Sequence, residues 1–265
     1  MLSVETFDTV SQASQQIRDG SRYIAGGTLV MRAVNYGDQS FSRIIRSRDP
    51  ALRTIRMEGG RIVVGAGVTM ADVVQSRELD FLSPVARLVG GPAIRNMATV
   101  GGNLFAANPY GDFTTALLAL DGEVVMADGA KMPLEQFLSS RETTRGLVAA
   151  ISVPRPNGDD FRFRKVSRVK PKGVAVMSIA AWLQRAGSRV NQARIAFGGM
   201  GATPLRAKAV ESALNGATLD ANGIERALAV TVDGLDPQDD ALASAWYRRE
   251  VAPVHLRRTL LGENS

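Results

Sequence analysis

The sequence predicts an α+β protein of two domains, residues 1–158 and 159–265. In the first part, short apolar runs typical of strands alternate with short helical runs, and glycine or proline separates them. Residues 155–160, RPNGDD, have the composition of a linker. After the linker, three runs alternate as strands of an antiparallel sheet do, and helices follow them. These three predicted strands are Phe161–Arg168, Ala175–Gln184 and Val190–Phe197.

Helical spacing of apolar residues and potential caps place the helices. Asp8 or Thr9 can cap the first helix, and Thr69 the third. The residues of the last helix that are expected to face inward are Leu242, Trp246, Val251, Val254 and Leu261. The predicted helices are Phe7–Asp19, Leu29–Tyr36, Met70–Ser76, Phe81–Val89, Thr114–Leu120, Leu134–Leu138, Arg206–Leu214, Gly223–Val232 and Asp239–Leu261. The strands predicted in the first domain are Arg22–Ala25, Arg43–Ile45, Leu52–Ile55, Ile62–Gly65, Glu123–Ala127 and Leu147–Val153.

The composition excludes several kinds of chemistry. The chain has 265 residues, no cysteine and one histidine, His255. Disulfides, thiolate-bound iron–sulfur clusters, cysteine nucleophiles and cysteine zinc sites are therefore excluded. A Ser-His-Asp triad is improbable with a histidine so near the C-terminus. No catalytic or metal-ligating residue is predicted, so redox activity would require an organic cofactor.

The net charge of +6 raises the question of nucleic-acid binding. The basic residues concentrate in Phe161–Lys172, where Phe161 and Phe163 alternate with arginines. A nucleic-acid surface would need more interleaved aromatic side chains. We interpret the segment as a strand with an apolar inner face and a basic outer face, and expect no nucleic-acid partner. Without a signal peptide or a long apolar stretch, a cytoplasmic protein with no membrane insertion is expected.

Two glycine motifs are the candidate binding segments. Gly26-Gly27-Thr28 lies between a predicted strand and helix, where free N–H groups can hold an anion. The second motif, TVGGNLFAANPYGD, extends from Thr99 to Asp112 and places an amide and a carboxylate near exposed backbone. Neither has GxGxxG spacing or a P-loop lysine. Taken alone, the first motif is equally compatible with an ordinary turn, and the spacing of the second favours a turn.

Four segments in order resemble the FAD-binding medium subunit of the molybdenum hydroxylases, the xanthine dehydrogenase and carbon monoxide dehydrogenase family. The segments are IAGGTLVM, TVGGNLFAANPYGD, FRFRKVSRVKPKGVAVMSIA and FGGMGATPLRAKAVESAL. The resemblance covers nearly the whole chain. It implies a two-lobed FAD-binding domain of the PCMH type, followed by a smaller domain like the C-terminal domain of the carbon monoxide dehydrogenase flavoprotein.

The resemblance also implies the cofactor-binding residues. The first loop would offer backbone N–H groups to the FAD pyrophosphate, and the second would contact the phosphate and ribitol. Asp112 would make a polar contact, Val148 an apolar one, and Lys165 would reach the flavin and raise its reduction potential. The implied residues are Ala25, Gly26, Gly27, Thr28, Leu29, Val30, Thr99, Gly101, Gly102, Asn103, Asp112, Val148 and Lys165.

In that family, the chain would be an electron-transfer subunit with non-covalent FAD. Molybdopterin would lie on a large partner subunit and two [2Fe-2S] clusters on a small one, with a dimer of heterotrimers as the assembly. The FAD would pass electrons to NAD, oxygen or another acceptor. One departure is Leu29, where the family commonly has aspartate.

Two other functions stay open at this point. One is a non-catalytic basic interaction module, in which the glycine motifs are only turns. The other is a stand-alone FAD oxidoreductase of the vanillyl-alcohol-oxidase type. Flavin absorbance bands in the purified protein would argue against the interaction module. Co-purification with two partner subunits would argue against the stand-alone oxidoreductase.

Overall fold

The computed structural model describes residues 2–144, 146–169 and 173–263. Lys170 and Lys172 of the predicted basic segment therefore lie outside the described residues. The chain divides into two compact units. The first comprises Met1–Ala106 and Gly122–Pro154, and the second comprises Ala107–Asp121 and Arg155–Ser265.

Among the described residues, three short 3-10 helices lie between the strands and α-helices, at Pro50–Arg53, Asp80–Leu82 and Gly158–Asp160. The strands are β1 Ser3–Phe7, β2 Ser21–Tyr23, β3 Arg43–Ser47, β4 Ile55–Glu58, β5 Arg61–Gly65, β6 Glu123–Met126, β7 Lys131–Pro133, β8 Val148–Pro154, β9 Phe161–Ser167, β10 Ala175–Ala186, β11 Arg189–Gly198 and β12 Leu205–Arg206. The helices are α1 Val10–Gln15, α2 Val30–Asn35, α3 Met70–Gln75, α4 Ser83–Arg87, α5 Pro92–Arg95, α6 Val100–Asn103, α7 Asp112–Ala119, α8 Leu134–Ser140, α9 Lys208–Leu214, α10 Glu225–Ala229 and α11 Ala245–Leu261.

The first unit contains two sheets. A three-stranded parallel sheet has the order β1-β3-β2, and a five-stranded antiparallel sheet has the order β4-β5-β8-β6-β7. In the parallel sheet, Ile44 and Ile45 of the central strand β3 are buried. The two sheets form two lobes, and the predicted α+β class is confirmed.

The second unit is built on a four-stranded antiparallel sheet of order β12-β11-β10-β9. The predicted antiparallel arrangement of β9, β10 and β11 is confirmed. Ile179 pairs with Phe197 on one side and with Arg164 on the other. Apolar side chains of β10, β11, α9, α10 and α11 form one core. Helix α7, buried at every one of its residues, packs against β10 and β11.

Three sequence predictions need correction. Residues 52–55 were expected to form one strand, but a 3-10 helix ends at Arg53 and β4 starts at Ile55, because Asp49 caps the helix by accepting the Ala51 N–H. In α11, Trp246 is 68 % exposed and Val254 is also exposed, whereas Ala252 and Leu256 are buried. Val251 and Leu261 do pack against the core, so the predicted inward face is right at these two positions and wrong at Trp246 and Val254. Leu242 precedes the helix.

The third correction concerns the basic face of β9. Arg162 and Arg164 are half-buried and do not form a solvated outer face. Their guanidinium groups donate to the main-chain carbonyls of Leu260 and Glu263, at the end of α11. Cations there satisfy carbonyls that have no partner within the helix.

Arg248 attaches α11 to its surroundings. Its side chain is 2 % exposed and donates to the carbonyls of Val176, Gln238 and Ala243 and to the carboxylate of Asp240 at 2.7–2.9 Å. Burial alone would raise the pKa of Asp240, but hydrogen bonds from Arg248 and from two amides lower the pKa below its ordinary value. This arginine therefore links the loop before α11 to strand β10.

We expect Arg248→Met to lower the free energy of unfolding by about 3 kcal/mol or more, because buried acceptors lose their donor. Arg249→Met is the matched control, since Arg249 is exposed and makes only a 3.6 Å contact with Asp236. It should cost about 0.5 kcal/mol or less. Urea denaturation followed by circular dichroism measures both variants, and equal losses would contradict this role of Arg248.

Among the described residues, no helix has both the length and the apolar character needed to cross a membrane.

Candidate functional site

The first glycine motif is a loop with free N–H groups. Its preceding residue, Ile24, extends the parallel sheet by donating to the Ile45 carbonyl at 2.8 Å. Gly27 has a φ of +75°, which favours glycine. Within the described residues, the backbone N–H groups of residues 25–30 donate no hydrogen bond to the protein. Six successive donors are thus available to a ligand, and such a run binds phosphate oxygens well.

The second glycine motif is a short capped helix. The Thr99 hydroxyl caps α6 by accepting the Gly102 N–H at 3.1 Å, and the Asn103 side-chain amide donates to the Thr99 carbonyl at 2.9 Å. The Gly101 N–H donates to the Ala66 carbonyl at 2.8 Å. A Cβ at position 101 would lie 2.7 Å from the Ala66 Cβ. Gly101 is therefore explained by close packing inside the first unit, whereas Gly102 is exposed.

The first motif lies against the residues that lead into the second. A Cβ on Gly26 would be 1.5 Å from the Met97 carbonyl oxygen, so only glycine fits there. A cleft of about 390 Å³ opens beside this contact. Ala25 and Gly26 line it from the first loop, Thr99 lines it from the second motif, and Met97 lies two residues before that motif. The structure thus brings together members of the two predicted loops.

Sequence reasoning missed three arginines of the same cleft. Arg46, Arg48 and Arg53 line it and are exposed. The neighbouring acid, Asp49, uses its carboxylate to accept the N–H groups of Val10 and Ala51, both at 3.0 Å. The signal in the sequence was a run of basic residues directly after the buried part of strand β3. The cleft therefore combines free N–H donors with cationic side chains.

The other predicted polar residues lie in the second unit. Lys165 Nζ lies 2.8 Å from Asp112 Oδ2, and both side chains are 8 % exposed. Burial raises the pKa of the Asp112 carboxyl, and Lys165 and the Ser178 hydroxyl oppose this shift. The Ser178 hydroxyl also donates to Thr115 Oγ1 at 3.3 Å. Asp112 and Lys165 thus form a buried ion pair held by hydroxyl groups.

The remaining predicted residues have distinct positions. Val148 starts strand β8 and is buried. Leu29 is the N-cap residue of α2 and makes no side-chain capping bond, which fits the loss of a polar contact at this position. The motif Thr99–Asp112 is divided between the units, since Ala106 belongs to the first and Ala107 to the second.

The cleft in the first unit can bind an anion through backbone donors and arginines, which are the groups that proteins use for phosphates. The fold and this site together define a two-lobed protein that binds a phosphate-bearing organic cofactor.

Comparison with known proteins identifies the family. Residues 1–156 match the model of the FAD-binding domain in molybdopterin dehydrogenase, and residues 162–262 match that of the CO dehydrogenase flavoprotein C-terminal domain. The alpha subunit of the 6-hydroxypseudooxynicotine dehydrogenase complex from Paenarthrobacter nicotinovorans is 31 % identical, over 96 % of this chain and 91 % of that protein. The carbon monoxide dehydrogenase medium chain from Hydrogenophaga pseudoflava is 26 % identical, over 92 % and 90 %.

Solved structures show the same fold. A chain of the reconstituted CO dehydrogenase from Oligotropha carboxidovorans superposes with a TM-score of 0.88 at 24 % identity, covering 98 % of this chain and 96 % of that one. The protein belongs to the family of FAD-binding medium subunits of the molybdenum hydroxylases. It is an oxidoreductase subunit, and its cofactor is FAD.

Proposed function

We propose that this chain transfers electrons within a multi-subunit molybdenum hydroxylase. Its FAD would take electrons from [2Fe-2S] clusters on a small partner subunit and pass them to NAD, oxygen or another acceptor. The molybdopterin cofactor would lie on a large partner subunit. The observation that carries the proposal is the cleft of the first unit, where free N–H groups and arginines meet in a chain of this family.

The residues of the first motif would bind the FAD pyrophosphate. The N–H groups of residues 25–30 have no acceptor among the described residues, so binding would break no internal hydrogen bond. The second motif would act mainly by holding this loop in place. Gly101 and Gly102 already use their N–H groups for Ala66 and Thr99, so their direct contact with phosphate would require rearrangement.

Lys165 is our candidate for contact with the flavin. A cation near the flavin would raise its reduction potential by favouring the reduced, more negative form. The charge of Lys165 is offset by Asp112 at 2.8 Å, so the pair would deliver a small net field. Asp112 would thereby adjust the effect of Lys165 on the potential. Val148 would give an apolar contact.

Several relatives are named as medium chains or subunits of complexes, which supports partner subunits for this chain too. We propose a heterotrimer with a large and a small subunit, assembled as a dimer of heterotrimers, in the cytoplasm. The stand-alone oxidoreductase is the weaker alternative, since the family model names a domain of molybdopterin dehydrogenases.

Co-expression with the reading frames that flank its gene tests this proposal. We expect the chain to co-purify with two polypeptides, one carrying molybdenum and one carrying iron. After the large subunit receives its substrate, the flavin absorbance should bleach only when the small subunit is present. The proposal fails if the chain purifies alone from such cells, or if bleaching does not require the small subunit.

A further inference from the structure

We propose that Arg46, Arg48 and Arg53 form an arginine wall that binds the phosphates of the cofactor, in addition to the N–H groups of residues 25–30. This inference rests on the proposed function, because it assumes that the cleft takes FAD. It assigns the charge-dependent part of cofactor binding to side chains outside both glycine motifs.

The arginines share one cleft although they come from different local structures. Arg46 lies on strand β3, Arg48 directly follows that strand, and Arg53 ends the 3-10 helix. The backbone holds Arg48 in place, since its N–H donates to the Phe7 carbonyl at 2.8 Å. All three line the cleft beside Ala25 and Gly26. Cations and free N–H donors therefore border the same space.

Their charges are not neutralised by the protein. Within the described residues, none of the three arginines makes a salt bridge, and the carboxylate of Asp49 already accepts two backbone N–H groups. Other arginines of the first unit do have acidic partners. These pairs are Arg43 with Glu5, Arg56 with Glu58, and Arg61 with Glu123. The cleft thus brings together three cations that have no acidic partner among the described residues.

The charge of Arg46 acts on a residue of the cleft. Burial raises the pKa of the Tyr23 hydroxyl, Asp49 adds to the increase, and the positive charge of Arg46 opposes it. Tyr23 lines the cleft, so the field of Arg46 is felt inside it. Asp49 also lines the cleft, but the three arginines outnumber it and leave the lining with a net positive charge. A cleft with a net positive charge concentrates anionic ligands.

The chemistry fits a pyrophosphate. Guanidinium groups match phosphate oxygens with paired hydrogen bonds, and backbone N–H groups complete the coordination without adding charge. The wall should therefore favour ligands that carry a pyrophosphate, such as FAD and ADP. Riboflavin has no phosphate and should gain nothing from these residues.

The test uses the full-length protein freed of bound flavin. The variant R46Q/R48Q/R53Q is compared with wild type and with the control R18Q/R56Q/R77Q, which removes the same charge from exposed arginines outside the cleft. Titrations with FAD, ADP and riboflavin are followed by calorimetry at low and high salt. Thermal denaturation confirms that each variant is folded.

We expect the arginine-wall variant to bind FAD and ADP about 10- to 100-fold more weakly, with a flatter salt dependence. Its riboflavin affinity should stay unchanged, and the control should match wild type within about twofold. If the arginine-wall variant binds FAD and ADP as tightly as wild type does, the inference is wrong and the proposed function is unaffected. If wild type takes up no FAD, the proposed function fails, and the ADP titration then decides on the wall.

Discussion

Gly26→Ala is expected to abolish retention of FAD during purification. The new Cβ would lie 1.5 Å from the Met97 carbonyl oxygen, which is backbone and cannot move aside as a side chain can. The first glycine loop must then separate from the backbone at Met97, just before the second motif, at a cost of about 3 kcal/mol. If this cost falls on the bound conformation, FAD affinity drops about 100-fold. Calorimetry on the flavin-free protein measures the change.

Gly91→Ala is the matched control. Gly91 belongs to the same unit, has a φ of −83°, and a Cβ added there would have no atom within 4 Å. This variant should bind FAD as wild type does. If Gly26→Ala binds FAD as tightly as wild type does, the contact between Gly26 and Met97 does not shape the site.

Lys165→Met should cause a large loss of stability in the second unit. It leaves the Asp112 carboxylate buried without its cation, which costs about 3–5 kcal/mol of unfolding free energy. Burial already raises the pKa of Asp112, and loss of Lys165 raises it further. When the pKa of a carboxyl is higher in the folded than in the unfolded protein, the free energy of unfolding falls as the pH rises above the unfolded pKa of about 4. The variant should therefore be closer to wild type at pH 4 than at pH 8.

Two further variants identify the cause of that loss. The double variant D112L/K165M removes both charges, so it should recover most of the stability. Arg194→Met breaks the more exposed pair with Asp121, at 2.9 Å, and should cost about 1 kcal/mol or less. Urea denaturation compares all three, and a double variant as unstable as Lys165→Met would contradict the ion-pair explanation. The reduction potential of bound FAD is measured in Lys165→Met as well. If it equals that of wild type, Lys165 does not contact the flavin.

Local signals in the sequence were sufficient for many elements. Asp8 or Thr9 was expected to cap the first helix and Thr69 the third, and Thr9 and Thr69 both form capping boxes with a side chain three residues later. Such caps depend on neighbouring residues only, so they are readable from the sequence. The three strands of the second unit were predicted for a similar reason, because their alternation reflects one buried face.

Other elements depend on distant contacts. Strand β1 was missed because its side chains are largely exposed and its stability comes from backbone pairing with β3. Helix α6 was missed because its two glycines disfavour a helix, and the Thr99 cap and packing on Ala66 compensate. Helix α7 was expected, but its membership of the second unit depends on its contacts with β10 and β11.

The candidate site was predictable in part. The glycine motifs and their order along the chain indicated a cofactor clamp, and the structure brings Gly26 and Met97 into contact. The internal use of the Gly101 N–H could not be foreseen, since its acceptor Ala66 is 35 residues earlier. The cleft arginines were also missed, because a strand end becomes part of a site only through the arrangement of the lobes.

The most direct test of the account is the flavin content of the full-length protein purified without denaturants. We expect flavin absorbance bands and about one FAD per chain, released into solution by acid or heat because it is held without a covalent bond. A colourless protein that also fails to take up added FAD would contradict the assignment of the cleft as a cofactor site.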